Sequence, residues 1–142
     1  MTLPITEKSV REMAGKWYVA LDEHVDLDEV TSFLDEGFEL YIPDGVYRGV
    51  DGFARWYDAV INRFFDEVHT IAEVCPEIRG DRATVTIKVN WQAKVWDPPA
   101  ARSTWLGFDA EQTWEVVAGR NGPVVRKYVV NSLRPMPGSA SL

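Results

Sequence analysis

The sequence predicts an α+β fold in which N-terminal helices pack on a long, strongly curved, mainly antiparallel sheet, forming a cone with an internal pocket. Two patterns carry this expectation. Phe53, Trp56, Tyr57, Val60, Ile61, Phe64 and Phe65 recur along one face of a 3.6-residue period. From Ala83, in contrast, Val85, Ile87, Val89, Trp91, Ala93 and Val95 alternate strictly with mostly polar neighbours, the period of a half-buried strand. A helix so rich in aromatics needs a broad apolar surface opposite, and a sheet supplies one.

The remaining elements follow in order. Thr6 is placed to cap a first helix, with Ile5 and Val10 as a hydrophobic staple. Met13, Ala14, Trp17 and Leu21 continue its apolar stripe, which reaches His24 or Val25. Asp22 stands four residues after Tyr18, so the two stack at the border of that stripe. A short second helix is expected from Asp26 to before Gly37, burying Leu27, Val30, Phe33 and Leu34. In FELYIPDGVYRG, the Pro43-Asp44-Gly45 break signals a hairpin, because Gly45 can take the positive φ of a tight turn. Asp51 then occupies the N-cap position of the aromatic helix.

Beyond that helix, HTIAEVCPEI reads as a strand opening on His69, and Gly80-Asp81 turns the chain into RATVTIKVNWQAKVW. That run is long enough that it must bend or carry a bulge, which curves the sheet. TWLGFDAEQTWEVV and VVRKYVVNSL complete an antiparallel meander, and the tail at residues 135–142 is expected to be loose.

The 142 residues contain no low-complexity run, so one domain is expected, its core spanning about residues 5–134. A formal charge of −7 argues against nucleic acid or an anionic membrane as partner, since phosphate binding needs clustered lysine and arginine. The single cysteine, Cys75, forms no internal disulfide and has no basic neighbour in the sequence to activate it. MTLPITEKSV lacks the apolar run of a signal peptide, and no stretch approaches the ~20 apolar residues of a membrane span. A cytoplasmic setting is expected. His24, His69 and Cys75 make no zinc-ligand pattern, and no glycine-rich phosphate loop is present. Neither metal nor cofactor is expected.

From about Val10 to Leu133, the chain resembles the SnoaL-like branch of the nuclear-transport-factor-2-like superfamily, the cystatin-like α+β cone. The segments WYVALDEHVDLDEV and IPDGVYRGVDGFARWY, the EVHTI strand start and the final meander carry that likeness. Within the superfamily the motifs are most similar to those of scytalone dehydratase. That resemblance implies Asp22 as the first-helix aspartate and His69 as the strand histidine. The dehydratase's second histidine has no counterpart in NWQAK, and the tyrosine before its aspartate is Leu21 here. SnoaL-like polyketide cyclases carry an aspartate on the penultimate strand. Gln112 takes that place, unless a three-residue slip brings in Asp109.

These residues suit one chemistry. A histidine beside a carboxylate is a general base or acid near neutral pH. Asp22 and His69 are therefore the candidate catalytic pair. Tyr18, Tyr41 and Tyr47 can polarise a carbonyl or hydroxyl, and Gln112 and Asn131 can orient it. Trp56 and Trp91 complete the candidate lining, although Trp91, like Trp114, also suits packing or dimer contacts. His24 is assigned to packing or surface. The expected function is a cofactor-independent lyase or isomerase acting on a small, apolar, oxygenated molecule in the cone. The alternative is a non-catalytic binding module, its cavity plugged by Trp17, Trp56 and Phe64. Either way a homodimer is expected through the outer sheet face, with Trp96, Trp105 and Val117 as candidates.

Overall fold

A computed structural model describes residues 2–142. Among the described residues, three helices, α1 (Glu7–Glu23), α2 (Leu27–Thr31) and α3 (Gly49–Arg63), precede or interrupt six strands. The strands are β1 (Leu34–Ile42), β2 (Gly45–Arg48), β3 (Phe65–Arg79), β4 (Arg82–Val95), β5 (Thr104–Gly119) and β6 (Gly122–Pro135). They form one sheet in the order β2-β1-β6-β5-β4-β3. Only β1 and β6 run parallel; every other neighbouring pair is antiparallel. The α+β plan with a long, mainly antiparallel sheet is therefore as expected.

Helix α1 starts where the sequence places it. The Thr6 hydroxyl accepts from the Ser9 N–H and the Ser9 hydroxyl accepts from the Thr6 N–H, both at 3.0 Å, which satisfies two donors of the first turn. Val10, Met13, Ala14, Trp17, Tyr18 and Leu21 are buried, and α1 lies across β3. Helix α3 instead packs on β1 and β2. The space between is filled by Trp17, Tyr18, Phe38, Phe53 and Trp114, all nearly inaccessible.

Four local expectations are corrected. Helix α2 is only five residues long, Leu27 is 41% exposed, and Leu34 already belongs to β1, which is drawn into the sheet by pairing with β6. Arg48, not Asp51, is the N-cap of α3; Asp51 lies in the first turn, where the helix dipole favours an acid. The aromatic helix stops at Arg63, so Phe64 turns to the edge of Trp91 and the exposed Phe65 opens β3. Strand β3 thus begins four residues before His69, because it pairs with β4 from Phe65↔Lys94 onward.

The tail is not loose through Ala140. Met136 N–H donates to the Gly107 carbonyl at 2.9 Å, the Ser139 hydroxyl accepts from the Gly107 N–H at 2.9 Å, and Ala140 N–H donates to the Trp105 carbonyl at 3.3 Å. These bonds extend the β6 side of β5. A Cβ at Gly107 would stand 2.4 Å from the Trp105 ring and 2.8 Å from Met136 Sδ. Gly107→Ala should therefore destabilise the chain by about 1–3 kcal/mol and release the tail. Urea unfolding measures the first, and amide exchange at Ala140 the second.

The sheet curves through bulges on the partners of the long middle strands. Register shifts fall between Phe65 and Val68 and between Ile71 and Glu73 on β3, and near Gln112 and Val116 in the β5–β6 pairing. The β4–β5 ladder runs without a shift. Alternation on β4 holds to its end, and its inward residues pair with Leu106, Phe108, Ala110, Gln112, Trp114 and Val116 on β5.

Candidate active site

Asp22 sits in the last turn of α1, where the helix dipole disfavours an anion. The cost is offset by two donors from β3. Asp22 Oδ2 accepts from the His69 backbone N–H at 2.9 Å, and Oδ1 lies 2.5 Å from His69 Nδ1. One carboxylate thus holds both the backbone and the ring of one residue. The arrangement fixes Nδ1 as the nitrogen facing the acid. Nε2 makes no hydrogen bond among the described residues. Both side chains are mostly buried, His69 11% and Asp22 20% exposed, so the pair is shielded yet reachable.

Tyr18, one helical turn before Asp22, stacks on the His69 ring with centroids 4.9 Å apart. Trp91 faces the other side at 6.4 Å and itself stacks on Phe108 at 6.0 Å. These four rings form a column in which successive planes tilt by less than 30°. The Tyr18 hydroxyl donates to Gln112 Oε1 at 2.7 Å, and Trp114 Nε1 donates to the same oxygen at 3.1 Å. Gln112 therefore faces inward and is buried, as its pairing with Ile87 requires. Asp109 is exposed on the outer face and accepts from Asn90.

Burial pushes the Tyr18 hydroxyl well above its ordinary range near 10, with Tyr128 adding to the shift. Burial also raises Tyr128. Both groups hold their protons more tightly folded than unfolded. Their contribution to stability is fully present below about pH 10 and is lost as pH rises through the folded values. Urea midpoints should fall above about pH 10, and Tyr18→Phe should flatten that fall. Tyrosinate absorbance recorded in parallel checks that ionisation accompanies unfolding.

A second histidine–carboxylate pair was not anticipated. Glu67, buried on β3 one inward step before His69, pairs with His24 Nε2 and accepts from Trp91 Nε1 at 3.0 Å. His24 is the C-cap of α1 and adopts a left-handed backbone, φ 52°. Its assignment to packing or surface is thus corrected. The Glu67/His69/Ile71 alternation was the available signal, hidden by the apolar period that runs on to Phe65.

Four expected lining residues lie elsewhere. Tyr41 pairs with Val129 on the outer face, where its ring lies under Lys127 and its hydroxyl donates to Glu39. Asn131 is the extra residue of a bulge; it is exposed and donates to Thr113 Oγ1 at 2.7 Å, away from the interior. Tyr47 and Trp56 pack on the core beside β1, across the sheet from β3. Nor do two open grooves beside α1 touch the pair. These grooves, of about 570 and 560 Å³, share Phe33 and Lys16; neither is lined by Asp22 or His69.

The pattern of the SnoaL-like domain matches residues 14–126. No curated protein matches the chain. Among solved structures, hexachlorocyclohexane dehydrochlorinase LinA-type3 from Novosphingobium barchaimii is similar at 15% identity and a TM-score of 0.74, over 95% of this chain and 92% of that one. A proposed scytalone dehydratase from Novosphingobium aromaticivorans gives 16% identity and a TM-score of 0.72, over 91% and 83%. A protein of unknown function with a cystatin-like fold, from Nostoc punctiforme, gives 14% and 0.69, over 99% and 100%. At these identities the likeness establishes the fold.

Proposed function

Because the chain belongs to the SnoaL-like domain family, we propose that it is a cofactor-independent lyase or isomerase that moves a proton next to a carbonyl. The observation that carries this reading is the His69 ring held at Nδ1 by Asp22, with Nε2 unengaged. A neutral ring so held keeps its proton on Nδ1 and presents the Nε2 lone pair as base. Asp22 then stabilises the positive ring formed when a proton arrives. The faces of Tyr18 and Trp91 add to that stabilisation, as aromatic faces do for cations. Dehydration and dehydrochlorination, the reactions named for two similar structures, are both eliminations in which a carbon-bound proton is lost along with the leaving group.

The substrate that fits this chemistry is a small apolar ketone carrying a leaving group on its β-carbon. A panel of β-hydroxyketones in D₂O tests it by NMR. Deuterium entry at the α-carbon and loss of water, both faster than in buffer, are expected. A panel showing neither would contradict the reading.

A second reading, a non-catalytic binding module, draws on the filled interior and on grooves that lie away from the pair. It predicts ligands that raise the melting temperature without turnover or exchange. We place a homodimer contact on the outer face beside edge strand β3, where Phe65, Val68 and Trp96 are 39%, 54% and 52% exposed. Sedimentation velocity over a concentration series tests it.

A further inference from the structure

We propose, resting on the lyase reading above, that His24 is the group that protonates the departing hydroxyl while His69 takes the carbon-bound proton. The two histidine–carboxylate pairs are crossed between the same two elements. Helix residue Asp22 holds strand residue His69, and strand residue Glu67 holds His24 at the helix end. Glu67 and Gln112 are the buried polar residues of the described chain. Gln112 is matched by Tyr18 and Trp114, and Glu67 by His24 and Trp91.

The Glu67 side chain is 3% exposed, and a carboxylate so buried needs a cationic or strongly donating partner. His24 supplies it from a side chain that is 26% exposed, so the ring spans from the buried acid to solvent. Its Nε2 is engaged by Glu67, and Nδ1 makes no hydrogen bond among the described residues. Backbone strain marks both sides of the contact. Among the described residues, His24 and Asp66 are the non-glycine ones with positive φ, at 52° and 51°, and Asp66 immediately precedes Glu67.

Trp91 joins the two pairs, its N–H bonded to Glu67 and its ring stacked beside His69. Glu67, the residue that holds His24, stands one inward step before His69, about 7 Å along the strand, so the two histidines are anchored at neighbouring inward positions. In the step itself, His69 Nε2 takes the α-proton and the C–H electrons form the new C=C bond. The β C–O bond breaks, and its oxygen takes the proton from Nδ1 of the His24 imidazolium. Water and the unsaturated ketone leave. His69 ends protonated and His24 neutral, and solvent resets both.

A pair of substrates tests this, one β-hydroxyketone and its β-(4-nitrophenoxy) counterpart, whose leaving group departs as a stable anion. The variant is His24→Asn, because asparagine tolerates the left-handed backbone. The ratio of hydroxide loss to nitrophenoxide loss should fall about 10²-fold in His24→Asn. It should fall in the same direction in Glu67→Gln, which keeps an acceptor for Trp91. His69→Gln should slow both leaving groups alike. An unchanged ratio in His24→Asn overturns the assignment, whether both rates fall together or neither moves. A wild-type protein that neither exchanges the α-proton nor eliminates either group overturns the parent reading and the assignment with it.

Discussion

His69→Gln is expected to slow α-proton removal by about 10²–10⁴-fold, the range contributed by a positioned general base. Glutamine retains the polar volume and can still bond Asp22, but it has no basic lone pair to replace Nε2. Backbone anchoring is left in place, because Asp22 Oδ2 binds the residue-69 N–H rather than the ring. The loss should therefore appear in kcat with little change in KM or in melting temperature. Asp22→Asn should act differently. It removes the acceptor that holds the ring and the charge that stabilises its protonated form, and it alters a contact to the backbone of β3. Reduced activity should then come with reduced stability. Equal activity in His69→Gln and wild type would remove His69 from the reaction.

Trp17→Ala should be the most damaging single change to the fold. Trp17 is 1% exposed and its ring meets Phe33, Phe53, Trp114 and Tyr128 at 5.7–6.3 Å. These partners come from α3, from β5 and β6, and from the segment between α2 and β1. Truncation opens a cavity at the point where helices and sheet meet, and a buried tryptophan lost in this way costs about 3–5 kcal/mol. A chain of this size has only about 5–15 kcal/mol in total, so urea unfolding should register the change plainly. Trp17→Phe, which keeps one ring in the site, should cost distinctly less. A Trp17→Ala variant as stable as wild type would contradict the packing described here.

The catalytic candidates were legible in the sequence for separable reasons. The cap at Thr6 fixes the phase of α1, and that phase sets Tyr18 and Asp22 one turn apart on the border of the buried stripe. The alternation on β4 is unambiguous because its inward positions are almost all apolar, but the choice between Gln112 and Asp109 stayed open in the sequence and is decided by the pairing of Gln112 with Ile87. The strand that opens on His69 was read from HTIAEVCPEI, but the pocket role of His69 depended on likeness to a known family, since a strand start does not say which way its first residue faces.

What could not be read has equally local causes. The aromatic period continues through Phe64 and Phe65, so the FFD segment reads as helix. Only the pairing with β4 ends the helix at Arg63 and turns Glu67 inward. Asn131 was misplaced because one bulged residue reverses the facing of a side chain, and bulges leave no period. Tyr41 alternates correctly along β1, but which face of that strand meets the core is decided by the parallel pairing with β6. The tail looked loose for its Pro, Gly and Ser content, yet the open edge beside Gly107 offers its backbone partners.

The ring nitrogens of His69 themselves give the most direct test. Nitrogen-15 NMR of the neutral side chain distinguishes a proton on Nδ1 from one on Nε2. The account predicts the Nδ1–H form in the wild-type protein, with its proton strongly deshielded by Asp22, and a return to a mixture of forms in Asp22→Asn. A wild-type ring that carries its proton on Nε2, or averages freely between the two, would leave no base facing the substrate and would contradict the account.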